Sequence, residues 1–445
     1  MKEGTKKYAD EAYETVKYAA NVIGSRLPGS KGEKAFADHM ADKLRAIGVT
    51  PKKEEFAVSP RSAIGGIPYA GYAGLIMSLA AYPALHIPSI WFAIAAFGIL
   101  AAVWLISCCF LYQTWSDMFF PRKISQNVYG EITPPDGRYD YTIMLSAHTD
   151  TSWCWKHSEF NHRYGDNIAK GFANVIAKVG FGAVCFAFII ITAIFMSIVY
   201  FASYCGAAWA MQILSAAAFT RFMLAMHFIP AVTAIGSLFV IQWNDPHEEN
   251  GSRGAMDNAT GIALSYEITK YFTEHPEKLP KNCRIVDLNI GSEETGLRGS
   301  MAFTAAHKND DLTENVWNIN IDSIADEEYF SVINKDAWQF CNFDKDLEEM
   351  FLESFRELGI ESKTGGKMAN PVGGCDSTPM TRAGIKSVSF AAQNPTLTYY
   401  YHTWHDVPER FSADTLGDGF DVVLSVIDKI AAYQETNGFP GVRKK

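Results

Sequence analysis

The stretch Arg284-Ile-Val-Asp-Leu-Asn-Ile290, followed at once by Gly291-Ser292-Glu293-Glu294-Thr295-Gly296, decides the fold class. A short, mainly apolar run that ends at a glycine and a pair of acids reads as a buried strand with chemistry at its carboxyl end. Three other runs share the pattern: Tyr141 to Ala147, Asn315 to Ile321 and Ile385 to Phe390. The first leads into Ala147-His148-Thr149-Asp150 and the second into Asn320-Ile321-Asp322-Ser323. Helical periodicity fills the intervals, over Asp257 to Thr273, Asp344 to Leu358 and Ser412 to Glu435. Alternating strands and helices imply an α/β domain built on a mostly parallel mixed sheet flanked by helices. In such sheets chemistry collects at the carboxyl ends of the strands. Upstream, residues 8–48 carry two amphipathic helical patterns, broken near Arg26-Leu27-Pro28-Gly29-Ser30, and Lys52 to Val58 reads as a strand.

Two apolar insertions interrupt this pattern. Between Arg61 and Asp117 there is no Asp, Glu, Lys or Arg. One membrane span needs ~20 apolar residues, so this run predicts two spans, 64–86 and 89–113, joined by a tight hairpin near His86. From Val179 to Trp243 the only charged residue is Arg221. Phe181 to Ser203 and Phe222 to Gln242 read as spans, and the shorter piece Gly206 to Phe219 as an interfacial helix or an extension of the last span. Four spans in two hairpins return the chain to one side each time. The expected division is therefore 1–62, 117–178 and 245–445 for the polar domain, with 63–116 and 179–244 as transmembrane insertions. Lys and Arg near the spans (Arg61, Arg122, Lys123, Lys170, Lys178, Arg253) fall on the polar-domain side. The positive-inside tendency then places a multi-pass membrane protein with its polar domain on the cytoplasmic face.

Net charge is −10, which argues against nucleic acid as a partner. The eight cysteines form no C-x-x-C pair and suggest no disulfide framework, in keeping with a reducing compartment. The first ten residues contain no apolar core of a cleaved signal.

The candidate chemical residues are His148, Asp150, Asp257, Glu293, Glu294, Asp322 and His402. Each has a plainer alternative: a satisfied His–Asp pair, a helix cap at Asp257, a solvated acidic pair, an interface histidine. Together they sit at element ends expected to share one rim. Zinc favours imidazole nitrogen and carboxylate oxygen where no thiolate is offered. Two histidines and three carboxylates supply three ligands to each of two ions if one carboxylate is shared, and a neighbouring unligated carboxylate can take a proton from water.

The ordered set His148-x-Asp150, Gly254-x-x-Asp257-Asn258-x-x-Gly261, Glu293-Glu294-x-Gly296-x-x-Gly299-Ser300, Asp322 and Tyr401-His402-Thr403-x-x-Asp406 resembles the M28 family of di-zinc aminopeptidases. Arg26-x-Pro-Gly-Ser30 resembles that family's opening segment. The likeness covers 8–60, 124–160, 250–325 and 370–435 and leaves out the apolar insertions. It implies that His148 and Asp322 hold one zinc, Glu294 and His402 a second, with Asp257 bridging. Glu293 is then the general base, and Asp150 orients the His148 ring.

Two departures stand out. His148 and Asp257 are 109 residues apart, with the second insertion between them. At Gly373-Gly374-Cys375-Asp376-Ser377, where relatives often carry Ser-Asp-His and a nearby Tyr, no Tyr is adjacent; Tyr399, Tyr400 and Tyr401 are candidates to line the pocket or to serve as core aromatics. The expected activity is hydrolysis of an N-terminal peptide bond. The expected partners are a peptide substrate, the lipid bilayer and, if the spans self-associate, a homo-oligomer. The alternatives are another amidohydrolase or a glutaminyl-cyclase-like enzyme on the same scaffold, and a non-catalytic membrane receptor or scaffold with a relict peptidase domain.

Overall fold

The computed structural model describes residues 3–156, 168–215, 227–245, 247, 250–370, 373–396 and 398–437. The chain forms two compact units: Met1–Arg61, Asp117–Cys154 and Pro246–Lys445 make the first, Ser62–Ser116 and Trp155–Asp245 the second.

Among the described residues, the first unit is organised by nine strands: β1 Lys52–Val58, β2 Lys123–Ile132, β3 Tyr141–His148, β4 Cys283–Ile290, β5 Val316–Ile324, β6 Phe330–Asp336, β7 Cys341–Asn342, β8 Lys367–Asn370 and β9 Lys386–Ala392. They form one sheet in the order β1-β2-β4-β3-β5-β9-β6-β7, with β8 paired to β6. The expected α/β sheet is present, and it is mixed. The centre, β4-β3-β5-β9, is parallel, while β1-β2, β2-β4, β9-β6 and β6-β7 are antiparallel. Sequence pattern explains the difference. β3 and β4 are buried along their whole length, as a strand covered on both faces must be, whereas β1 alternates toward solvent as an antiparallel edge does.

Polar residues inside this core are paired across strands. Ser146 Oγ donates to Asn320 Oδ1 at 3.2 Å, and Asn320 Nδ2 donates to Ser389 Oγ at 2.9 Å, linking β3, β5 and β9. A buried polar side chain without a partner costs about 1–3 kcal/mol, so this ladder also penalises a slipped register.

The two N-terminal helices, Lys6–Lys17 and Lys31–Ala46, are separated where the sequence breaks, at Gly29 with φ 65°. Ser30 caps the second, accepting from Glu33 N at 3.2 Å. Helix Lys345–Leu358 starts at Asp344, which accepts from Leu347 N, and stops at Gly359 with φ 67°. Helix Thr260–Glu274 begins later than the periodicity predicts. Asp257 and Asn258 are not helical, because the Asn258 side chain ties them to β5. Its Nδ2 donates to Ile321 O, and its Oδ1 accepts from Gly261 N and Ser323 N.

The points where each insertion leaves and rejoins this unit are stitched together. Ser59 Oγ donates to Asp117 O at 2.9 Å, and Ser252 N donates to Ser152 O at 2.9 Å.

The second unit is helical and apolar. Ile64–Ala84, Ser89–Phe110 and Phe181–Tyr204 are long and apolar enough to cross a membrane. Phe228–Ile241 is a shorter apolar helix, and Ala208–Ser215 a short one. Arg221 and positions 222–226 of the expected fourth span lie outside the described residues, as do 216–219 of the piece before it. Small residues bring the helices close: a Cβ on Gly71 or Gly74 would strike Ile241 or Ser237, and one on Gly182 would strike Gly236. Met77, Trp91, Ile94, Ile189 and Met196 fill the interior. Leu79, Leu100, Val184 and Ile191 point outward and are exposed.

Candidate metal centre

The sheet register delivers the donors. His148 ends β3 opposite Ile290, the last residue of β4, and the Glu293–Glu294 turn follows directly. β3 pairs with β5 at Ser146 and Asn320. Two residues on, His148 Nε2 lies 3.7 Å from Asp322 Oδ1. A bulge between Ile321 and Ile324, with Ser323 at φ 63°, re-aims this end of β5.

Asp257 stands between the two imidazoles. Its Oδ1 is 3.1 Å from His148 Nε2, and its Oδ2 is 3.0 Å from His402 Nε2. His402 Nε2 is also 3.1 Å from Glu294 Oε1. Two donor groups result, His148–Asp257–Asp322 and Asp257–Glu294–His402, each with its donor atoms within 4.8 Å of one another. All five sequence-predicted ligands are therefore gathered. Ser292, Leu297, Ser323 and His402 adopt positive φ around this rim, a conformation that non-glycine residues rarely hold outside functional turns.

Asp150 does more than face the His148 ring. Its two carboxylate oxygens accept from Glu293 N and Glu294 N, each at 3.0 Å, and so fix the glutamate turn. His148 Nδ1 lies 3.1 Å from Asp150 O and 3.4 Å from Asp150 Oδ1. A proton on Nδ1 donated to Asp150 leaves the Nε2 lone pair for a cation.

Several supporting residues have no role in the sequence reading. Asp406 accepts from Met256 N at 2.8 Å and Asp257 N at 3.0 Å, which sets the Asp257 backbone. Glu33 accepts from Ser292 N, Ser292 Oγ and Ser125 Oγ through one oxygen and from Gly29 N through the other. Arg26, fully buried, donates to Thr149 O, Arg253 O and Gly254 O, clamping the loops that carry Asp150 and Asp257. The Ser30-x-x-Glu33 capping box was a readable signal for Glu33; the other two have partners no spacing reveals. Asp376 is buried too, and burial pushes its carboxyl up to about 7, with the charge of His148 opposing. Among the tyrosines, Tyr401 stacks on the His402 ring at 3.9 Å between centroids. Tyr400 bonds Asp326 and belongs to the packing beneath.

The electrostatics is that of an acid-rich, poorly hydrated site. Burial disfavours a charged His402, yet Glu294 and Asp257 hold its pKa at about 10. His148 is likewise opposed by burial and raised well above its ordinary value by Asp150, Asp257 and Asp322. Burial pushes Asp257 up, but both histidines outweigh it and keep this carboxyl well below the usual range. Glu293 is driven well up by burial, with His148 opposing and Glu294 adding to the rise. Asp257, Glu293, Glu294 and Asp322 crowd around only two imidazoles, and a donor set of this chemistry and charge fits divalent zinc.

Two results follow from this geometry. Zinc uptake at pH 7 should expel protons, since both imidazoles are held protonated in the metal-free chain. Calorimetry in buffers of different ionisation enthalpy should give buffer-dependent heats; identical heats would contradict it. Asp406→Asn should cost about 1–3 kcal/mol, because its amide cannot accept from both Met256 N and Asp257 N. It should also weaken zinc binding roughly 10–100-fold. Thermal unfolding with chelator and a zinc titration measure the two effects.

An α/β sheet whose strand ends and adjoining loops gather two histidines and three carboxylates is a fold shared with known zinc aminopeptidases. Residues 239–427 match the model described as Peptidase family M28. Aminopeptidase YwaD of Bacillus subtilis is 24% identical over 185 residues, covering 40% of this chain and 37% of its own length. The match thus spans little more than a third of that relative. Among solved structures, BSAP, a zinc aminopeptidase from Bacillus subtilis, aligns with TM-score 0.54 at 13% identity over 95% of each chain. A glutaminyl cyclase from Bacteroides thetaiotaomicron aligns with TM-score 0.50 at 15% identity over 94% of this chain and 97% of its own. At these identities the structural likenesses establish the fold.

Proposed function

We propose that this chain is a membrane-embedded zinc aminopeptidase that hydrolyses N-terminal peptide bonds with two zinc ions and a glutamate base. The observation that carries the reading is the pair of donor groups sharing Asp257, with Glu293 adjoining them. His148 and Asp322 would hold one ion and Glu294 and His402 the other. Bound there, the metal supplies Lewis acidity that polarises the scissile carbonyl and acidifies water.

The chain's own residues do the rest. Glu293, partly exposed beside buried neighbours and with its carboxyl raised by burial, takes the proton from water and returns it to the departing amine. Asp150 keeps Glu293 and Glu294 in place through their backbone N–H groups. Tyr401 holds the His402 ring by stacking. The surplus of carboxylates favours a substrate that arrives with a free, positively charged α-amine.

Three long apolar helices support multi-pass embedding in a bilayer. Arg61, Arg122, Lys123 and Arg253, all in the first unit, favour its cytoplasmic placement. The partners are then a peptide substrate and lipid, not nucleic acid, with self-association through the apolar helices as a further partner.

The test is zinc content and product analysis on the full chain in detergent, with aminoacyl amides and peptides bearing N-terminal glutamine. About two zinc ions per chain with released amino acid support the reading. One ion with a cyclised product would instead favour a glutaminyl cyclase, an activity borne by a neighbour of this fold; one of the two donor groups would then be filled. Absence of stoichiometric metal after refeeding would favour a non-catalytic scaffold.

A further inference from the structure

His402 is carried by a long connection, residues 393–411, between β9 and helix Ala413–Asn437. Among its described residues there is no strand, and its one helical piece is the single turn Pro408–Arg410. No ladder of backbone hydrogen bonds sets its path. Yet His402 Nε2 stands 3.0 Å from Asp257 Oδ2 and 3.1 Å from Glu294 Oε1. A ligand on a loose loop must be ordered each time an ion binds, and that ordering opposes binding.

One carboxylate outside the donor groups fastens this loop at three places. Asp326 Oδ2 accepts from Asn394 N at 2.8 Å, just past the end of β9, and from the Tyr400 hydroxyl at 2.7 Å, just before His402. Its Oδ1 accepts from Arg410 Nη2 at 3.0 Å, near the end of the loop. The Arg410 guanidinium also lies over the Tyr400 ring. Asp326 is itself rooted on the sheet, because Ala325 N and Asp326 N both donate to Ala392 O, at 3.0 and 2.7 Å. Its side chain is mostly buried, so these charge-assisted bonds are stronger than the same bonds in water.

Tyr400 passes the restraint on to His402. Its ring packs with Met256 and Ala325, the sequence neighbours of Asp257 and Asp326. Its carbonyl accepts from Thr403 N at 3.2 Å and from Thr403 Oγ1 at 3.1 Å, closing the turn in which His402 takes φ 55°. The other donor group has different supports. His148 ends β3 with its ring against Asp150, and Asp322 lies within β5, which pairs with β3 and β9.

Resting on the zinc reading above, we propose that Asp326 is a positioning residue. Through Tyr400 it presets His402 for the ion shared with Asp257 and Glu294, and it leaves the His148–Asp257–Asp322 group unaffected. One carboxylate thereby sets the affinity of one of the two ions.

The test measures zinc affinity by competition with a chromophoric chelator, on the full chain in detergent, in two backgrounds that each leave one donor group. His148→Ala keeps Asp257, Glu294 and His402, and His402→Ala keeps His148, Asp257 and Asp322. Adding Asp326→Ala should weaken zinc roughly 10–100-fold in the first and no more than about twofold in the second. Asp326→Asn should fall between, since its amide oxygen still accepts from Asn394 N and Tyr400 but its NH₂ cannot accept from Arg410. Tyr400→Phe keeps the packing, loses one bond, and should weaken the same group severalfold. Asp344→Ala removes a helix cap that touches neither the loop nor the ligands, and should change neither affinity. A loss there equal to that of Asp326→Ala would make general destabilisation the cause and overturn the proposal. Equal weakening by Asp326→Ala in both backgrounds, or in neither, would also overturn it and leave the zinc reading standing. Absence of zinc from the unsubstituted chain would overturn both, which separates the two failures.

Discussion

Glu293→Gln is expected to lower turnover roughly 10²–10⁴-fold with no loss of zinc. The amide is nearly the size of the carboxylate and keeps the backbone N–H that Asp150 accepts, so the glutamate turn stays in place. What disappears is the ability to take a proton. The substitution also removes one negative charge from a crowded acid cluster, and burial already works against that charge. Metal affinity should therefore hold or change little, and the loss should fall on kcat with KM nearly constant, because the base acts in the transition state. Metal analysis beside steady-state kinetics decides it. A variant that retained wild-type kcat would remove Glu293 from the mechanism, and one that lost zinc in proportion to activity would make it a ligand.

Asp257→Ala should have a still broader effect. Each oxygen of this carboxylate faces a different imidazole, at 3.1 and 3.0 Å. Its removal strips both donor groups at once, and neither remaining pair offers the three protein ligands of a catalytic zinc site. Wild type should be stabilised by about 2.7 kcal/mol per occupied site at zinc a hundredfold above its dissociation constant; Asp257→Ala should gain almost nothing and show no turnover. Thermal unfolding with and without zinc reads this directly. Alanine at 322 provides the contrast, since His402, Glu294 and Asp257 remain for one ion. If Asp257→Ala retained half the metal while Asp322→Ala lost all of it, the shared-ligand arrangement would be wrong.

Much of this candidate centre was legible because several of its candidate ligands sit at the ends of strongly patterned segments. His148 and Asp322 end or interrupt apolar strands, and the glutamate pair follows one, so strand recognition placed three of the ligands on a common rim. Asp257 was legible by motif, though its local backbone was not. Periodicity carries the helix through it, and the Asn258 side chain, reaching Ile321 and Ser323, together with Asp406, which takes the Met256 and Asp257 N–H groups, explains why the chain stays irregular until Thr260. The residues that hold the ligands were hidden for a related reason. Asp406 and Arg26 act on backbone groups far away in the chain, and neither charge type nor spacing announces a main-chain partner. Short strands such as β7 and β8 were equally silent, because two to four residues carry no period.

The stitches at Ser59–Asp117 and Ser152–Ser252 have a consequence for how such a chain can be re-engineered. Each greasy segment leaves and re-enters the first unit at a pair of adjacent points. Bridging Ser59 to Asp117 and Ser152 to Ser252 with a few glycines and serines would close loops whose ends already touch, at small entropic cost. The first unit, relieved of both segments, would keep the same candidate ligands in the same order.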